Sequence, residues 1–360
     1  MTTASLLVLA YAGRPNASAA IGHLAARTGA EVVTVTLDLG QGADLEQISA
    51  DARAAGAARA HVVDARDLFA ADVLLPSLRA GAIGGSPTVR PSALAWPVVA
   101  RVLVDVARME GASLVAHGAV GRDRAALDLL LADVAPDLGV VALEASAAAP
   151  STGPRVVANL WGRSLVVPPG VEPESLSPAV LYTRISQPLA CQVQPAIVEL
   201  TFEQGLPVAV NGIPMPLAEI VEVVDTIAGD HGVGRADRIS GFGAEQVREI
   251  SEAPAAVTLA VALADLEASR LDPRLLRLKR QLAPTYARLV EDGGWFSPGR
   301  RALEAFVAVA SSEVSGVVRV LLFQGACRVV GPDAAAEPPP LSPLTAGLGA
   351  GALESTAGTP

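Results

Sequence analysis

The sequence predicts an α/β fold in two parts: an N-terminal doubly wound parallel sheet, then an α+β domain. Three observations carry this expectation. Short apolar runs alternate with helix-period stretches from Ser5 to Leu143. The first run, Leu6–Ala10, is apolar at every position, as in a strand buried on both faces. From Ile197 the pattern changes to hairpin-spaced alternation and then long helical stretches, so strands and helices are segregated.

In the first part, strands are expected at Ser5–Ala10, Glu31–Thr36, Ala60–Val63, Ser113–Ala116 and Val140–Leu143, with helices such as Asn16–Arg27, Leu45–Ala55 and Pro97–Arg108 between them. Ligands of such sheets bind beyond the C-terminal strand ends, where the strand order reverses. The turns Ala12–Asn16, Asp38–Gly42, Gly81–Pro87 and His117–Arg124 are therefore expected to gather there. Residues 146–195 read as irregular, apart from the specific island Asn159–Ser164. In the second part, Ile197–Phe202 and Val208–Val210 read as a hairpin, Pro216–His231 as a helix, and Ala255–Leu263 as strand or helix. Leu275–Val290 and Arg301–Ser312 read as helices, and Val317–Leu322 with Cys327–Val330 as a closing hairpin. Residues 333–360, rich in Ala, Pro, Gly and Thr, read as a disordered tail.

Of the 360 residues, 51% are hydrophobic and 18% charged, enough for a sizeable core; at 3% aromatics, that core must be Ala, Val and Leu. The net charge of −10 argues against nucleic-acid and anionic-membrane partners and leaves a small-molecule ligand. Lys279 is the single lysine, as codon bias toward arginine in a GC-rich genome would produce. Cys191 and Cys327 are far apart and suit no metal site, so no metal ligand set and no disulfide framework is expected. The N-terminal apolar run is short and lacks a basic flank, and no stretch reaches membrane-spanning length, so a cytoplasmic protein is expected.

Several local signals admit two readings. Leu6–Ser18 reads as a strand, a Gly/Pro turn and a helix, the arrangement of a phosphate cradle, yet Pro15 has no N–H to offer. Asp38–Gly42 is either a nucleotide-contacting loop or an ordinary turn with Asp44 capping the next helix. His117-Gly118 ends a strand and is either functional or structural, whereas His23 and His61 read as structural. His231–Arg235 is either an anion loop or a glycine helix stop.

Taken together, ordered motifs resemble the argininosuccinate synthase family. They include Leu9–Gly13, Thr36–Gly42, Val63–Arg66, Ala93–Pro97, His117-Gly118, Asn159–Ser164, Gly205–Gly212, Ala228–Arg235, Glu252–Pro254, Trp295–Pro298 and Arg328–Gly331. The resemblance implies a PP-loop ATP pyrophosphatase-like domain at 1–165, a synthetase and oligomerisation domain at 166–331, and a tail at 332–360. It implies an ATP- and Mg²⁺-dependent ligase of arginine biosynthesis, which joins citrulline to aspartate through a citrullyl-adenylate, and a homo-oligomer. It places nucleotide contacts at Ala10, Tyr11, Gly13, Ser18, Asp38, Gln41, His117 and Gly118. The substrate pocket falls at Thr88, Ala93, Trp96, Asp123, Arg163, Ser164, Ser240 and Ser251.

The departures from the family concentrate in those motifs. The PP-loop, roughly Ser-Gly-Gly-Leu-Asp-Thr-Ser in the family, is Ala12–Ser18 here, with Arg14, Pro15 and Asn16 altered. The aspartate loop is the shorter Val120–Arg124. At the citrulline positions, tyrosine is Thr88, serine is Ala93 and arginine is Trp96. A second arginine is Ala126, a serine is Arg155, and a late glutamate and tyrosine are Ser240 and Ser251. A ligand bound without its polar partners loses about 1–3 kcal/mol per unpaired group. The chain is also short between Glu144 and Asn159 and lacks the family's tetramer-forming tail helix. These changes favour a repurposed enzyme acting on another substrate, in specialised metabolism. The alternatives are a non-catalytic pseudoenzyme or partner subunit, and a genuine argininosuccinate synthase.

Overall fold

The computed structural model describes residues 5–13, 17–83, 89–143, 154–167, 170–172, 175–187, 190–240 and 247–331. The fold is α/β, with a parallel five-stranded sheet first and antiparallel sheets after it, as the sequence predicts. The first sheet is built from β1 (Leu6–Ala10), β2 (Glu31–Asp38), β3 (Arg59–Asp64), β4 (Leu114–His117) and β5 (Gly139–Ala142) in the order β3-β2-β1-β4-β5. All neighbours are parallel, and Ala10 pairs with Val35 on one side and His117 on the other. The order therefore reverses between β1 and β4, which opens a crevice at their C-terminal ends.

The covering helices are α1 (Ala17–Thr28), α2 (Leu45–Ala54), α3 (Arg66–Phe69), α4 (Leu75–Arg79), α5 (Pro91–Glu110) and α6 (Gly121–Val134). A π-helical turn, Ala70–Leu74, joins α3 to α4. The Asp44 side chain accepts from the Gln47 N–H at 2.9 Å, so the capping half of its dual reading holds. Helix α5 starts six residues before the expected Pro97. Pro91 occupies its first turn, Pro97 is carried inside it, and Gly111 closes it at φ 69°.

Residues 155–167 correct the irregular reading of that stretch: β6 (Arg155–Asn159) and β7 (Gly162–Val167) form a hairpin. With β11 (Arg235–Ser240) and β12 (Val247–Glu252) they make a four-stranded antiparallel sheet in the order β11-β12-β7-β6. Beyond the short helix α7 (Pro178–Leu181) lies a second antiparallel sheet, order β10-β9-β8-β13-β14. Its strands are β8 (Ala196–Glu203), β9 (Leu206–Val210), β10 (Ile213–Pro214), β13 (Gly316–Phe323) and β14 (Ala326–Val330). The hairpin turns at Gln204-Gly205 and Gln324-Gly325 have positive φ at both residues, the mirror-image turn that matches strand twist.

Four helices complete the second part: α8 (Leu217–Asp230), α9 (Pro254–Arg270), α10 (Pro273–Glu291) and α11 (Pro298–Ala310). The ambiguous Ala255–Leu263 is helical. It is buried on most sides, which erases the periodicity that separates helix from strand. The Trp295–Pro298 motif proves to be a helix start, with the Ser297 hydroxyl accepting from the Arg300 N–H at 3.2 Å. One hydrophobic core runs from Val8 through Trp161 to Leu322, across both parts of the chain. Among the described residues, no helix is long and apolar enough to cross a membrane. Thr88 and the tail at 332–360 lie outside the described residues.

Candidate functional site

The crevice between β1 and β4 opens into a cavity of about 440 Å³. Its floor comes from the ends of β1 and β2, with Leu9 to Ala12 and Val35 to Leu37. Leu39, Gln41, Ala43 and Ile48 form one wall. Ser92, Ala95, Trp96 and Val99 form another; their spacing puts them on one face of α5. His117 to Val120 and Asp123 enter from β4 and the start of α6, and Arg155 to Ala158 close the cavity along the edge strand β6.

Of the expected nucleotide contacts, Ala10, Tyr11, Gln41, His117 and Gly118 line this cavity. Ser18 lies next to it, its hydroxyl 3.1 Å from the Tyr11 hydroxyl. Gly13 has φ +63°, and a Cβ there would stand 2.6 Å from Ile48 Cγ1, so only glycine lets the turn close on α2. Asp38 and Gln41 brace their own loop. Asp38 accepts from the Gly40 N–H at 2.9 Å, and the Gln41 amide accepts from the Leu39 N–H and donates to the Leu37 carbonyl, both at 2.7 Å. Arg66 also pairs with Asp38 at 3.7 Å.

His117 is 2% exposed and 2.8 Å from Asp128 through Nε2. A carboxylate only accepts, so Nε2 carries the proton and Nδ1 is left a bare acceptor, with no partner among the described residues. Burial pushes the imidazole pKa down, against the opposing pull of Asp128, which favours the neutral ring.

The expected substrate positions divide. Trp96 and Asp123 line the cavity. The Asp123 carboxylate accepts from Arg90 Nη1 at 2.7 Å, and Arg90 also reaches Glu291 at 2.8 Å. Ala93 is buried in α5 beside the cavity face and does not line the cavity. Arg163 pairs with Glu252 at 2.7 Å, and Glu252, 0% exposed, also accepts from the N–H groups of Thr183, Arg184 and Ile185. Ser164 donates to Glu249, which lies 3.5 Å from Arg238. Ser251 pairs with Ser164 across β12 and β7, its buried hydroxyl without a partner among the described residues. Ser240 ends β11. Of the Gly81–Pro87 turn, Gly81, Ala82 and Ile83 line a separate cavity beside Lys279 and Glu267, and the rest lies outside the described residues.

The loop at 38–42 and the hairpin turn at 159–162 hold each other in place. The Leu160 N–H donates to the Leu39 carbonyl at 2.6 Å, and Asn159 Nδ2 to the Pro91 carbonyl at 2.8 Å. Arg184 reaches the Asn159 carbonyl at 2.6 Å. At the end of α8, the His231 ring spans the Ile227 and Gln194 carbonyls at 2.8 and 3.0 Å, and Gly232 stops the helix at φ +76°. That is the helix-stop half of its dual reading. The resemblance puts Arg155 at a substrate position; that β6 as a whole forms a sheet edge along the cavity was not foreseen, because the stretch reads as irregular.

Comparison with known proteins gives one consistent result. The family model described as the arginosuccinate synthase N-terminal HUP domain matches residues 6–149, and the arginosuccinate synthase C-terminal domain matches residues 156–337. Among its relatives, the argininosuccinate synthase of Oceanobacillus iheyensis is 35% identical over 353 residues, covering 91% of this chain and 84% of that protein. That of Rubrobacter xylanophilus is 35% identical, covering 91% and 85%. That of Brevibacillus brevis is 36% identical over 349 residues, covering 90% and 83%.

Proposed function

The chain belongs to the argininosuccinate synthase family, and we propose that it is an ATP-dependent ligase of that type, working in the cavity at the β1–β4 switch. The observation that carries this reading is the convergence of three family motifs, Leu9–Gly13, Thr36–Gly42 and His117-Gly118, on one crevice at the strand ends.

The residues present suit the nucleoside end of ATP. Apolar walls from Ala10, Ala12, Leu37 and Ile48 match a flat base. When bound, ATP would supply the nucleotidyl group that activates an oxygen for displacement by an amine. Magnesium would accompany the phosphates, which need few protein carboxylates. Trp96 and Asp123 shape the substrate end, and the Arg90–Asp123–Glu291 set fixes the start of α5 against α6 and α10.

The relatives' names favour citrulline and aspartate as substrates. The apolar α5 face, with Trp96 in the cavity wall, favours a second reading, in which the ligase chemistry serves a different substrate. One assay series separates them. ATP–Mg²⁺ is expected to raise Tm, and AMP and pyrophosphate are then measured with citrulline and aspartate present. Argininosuccinate formation supports the first reading. Nucleotide binding without that product supports the second. Absence of nucleotide binding overturns both and leaves a non-catalytic partner.

A further inference from the structure

Two charged side chains line the cavity among the described residues, Asp123 and Arg155. They differ in what surrounds them. Asp123 is ion-paired with Arg90 at 2.7 Å. Arg155, half-buried on the edge strand β6, has no ion-pair or hydrogen-bond partner for its guanidinium among the described residues.

Strand pairing explains why it stands alone. Arg155, Val166, Glu249 and Arg238 lie directly opposite one another across β6, β7, β12 and β11, and so share a face of the sheet. The carboxylate in that row, Glu249, already accepts from Ser164 and pairs with Arg238. Val166 separates it from Arg155. A guanidinium stays charged at any physiological pH, and beside apolar walls its attraction for an anion is strengthened.

We propose that the cavity takes an organic monocarboxylate with an apolar body and no α-amino group, and that Arg155 pairs with its carboxylate. This rests on the reading that the part of the cavity lined by Trp96, Asp123 and β6 is the substrate end of the ligase site. Ala95, Trp96 and Val99, on the cavity face of α5, supply walls for the body, apart from the Leu37 and Ile48 walls given to the base of ATP. An α-ammonium group would find no unpaired carboxylate among the described residues lining the cavity, because Asp123 is engaged with Arg90. Arg155 is a specificity-determining residue here, supplying a charged two-pronged contact where the resembling family has a serine.

Three compounds share one ring and differ in charge: 3-phenylpropionate, its primary amide, and phenylalanine. Calorimetry on the full chain should show the acid binding about tenfold or more tightly than either of the others, as a charge-assisted contact would give. Arg155→Ala should bring the acid to within about twofold of the amide, and Arg155→Lys should restore part of the preference. Arg155→Gln serves in place of Arg155→Ala if the latter fails to fold. The proposal is overturned by equal binding of acid and amide, by tighter binding of phenylalanine or citrulline, by no binding of any compound, or by an acid preference that survives loss of the guanidinium. It is also overturned if Arg155→Ala weakens AMP relative to adenosine, which would assign the cation to a nucleotide phosphate. ATP binding, measured separately, tests the ligase reading: an acid preference without ATP binding overturns that reading alone, and ATP binding without an acid preference overturns this one alone.

Discussion

Arg163 and Arg155 stand eight positions apart on one hairpin, and their surroundings give them opposite roles. Arg163 is engaged with a fully buried Glu252 and with the carbonyls of Val180 and Leu181, so it holds the 180–185 segment to the sheet. Removing one partner of such a pair strands the other charge, at about 3–5 kcal/mol. Arg155 lines the cavity without such a partner among the described residues. His117 is a third kind of residue, buried at the cavity with its pKa pushed down by burial. Its folded-state pKa lies below the ordinary 6.5, chiefly through burial, so the unfolded chain binds the proton first as pH falls. The stability it contributes is complete above pH 6.5 and is lost as pH falls below that value toward the folded pKa. Urea unfolding of the native chain and of His117→Asn at several pH values should show a steeper loss below this point in the native chain. Parallel curves would exclude His117 as the source.

At the scale of elements, the site depends on a loop and a hairpin turn that dock on each other. Gly40 makes this possible. Its φ is +78°, and a Cβ would lie 3.1 Å from the backbone N and Cα of Leu160. Gly40→Ala should therefore destabilise the protein by about 2 kcal/mol, from the left-handed backbone and the backed-up contact together. Chemical denaturation measures this, and ATP affinity should fall with it because Leu39 and Gln41 move with the loop. A loss under about 0.5 kcal/mol would mean that the loop is free to part from the hairpin. Helix α5 links the same parts from the other side. Its cavity face carries Ser92, Ala95, Trp96 and Val99, while Asn159 binds the Pro91 carbonyl at its start.

At the scale of the molecule, the two family regions share one core and several polar contacts. The Leu160–Leu39 backbone bond, the Asn159–Pro91 contact and the Arg90–Glu291 pair all cross between them. Such an interface predicts one cooperative unfolding transition, with tryptophan fluorescence and far-UV circular dichroism giving the same midpoint. Two separated midpoints would show that the regions unfold independently. The strand pairing also groups β6 and β7 with β11 and β12, so we propose that the boundary between the units lies between β5 and β6, ahead of the 165/166 division expected from the sequence.

The sequence by itself determined the family, the parallel sheet and the crevice at the switch in its strand order. Buried strands advertise themselves by the unbroken apolar run Leu6–Ala10 or by the β-branched stretch Val32–Thr36, and glycine turns mark where they end. It left β11 and β12 unread, since their charged sequences, RADRIS and VREISE, satisfy no apolar alternation. Only the tertiary structure decided which polar side chains are free. Whether Arg155, Arg163 or Ser164 can meet a ligand depends on what lies opposite across a sheet. Those neighbours are up to 94 positions away along the chain, from Arg155 to Glu249. Residue type and spacing carry no information about such partners until strand pairing sets the register.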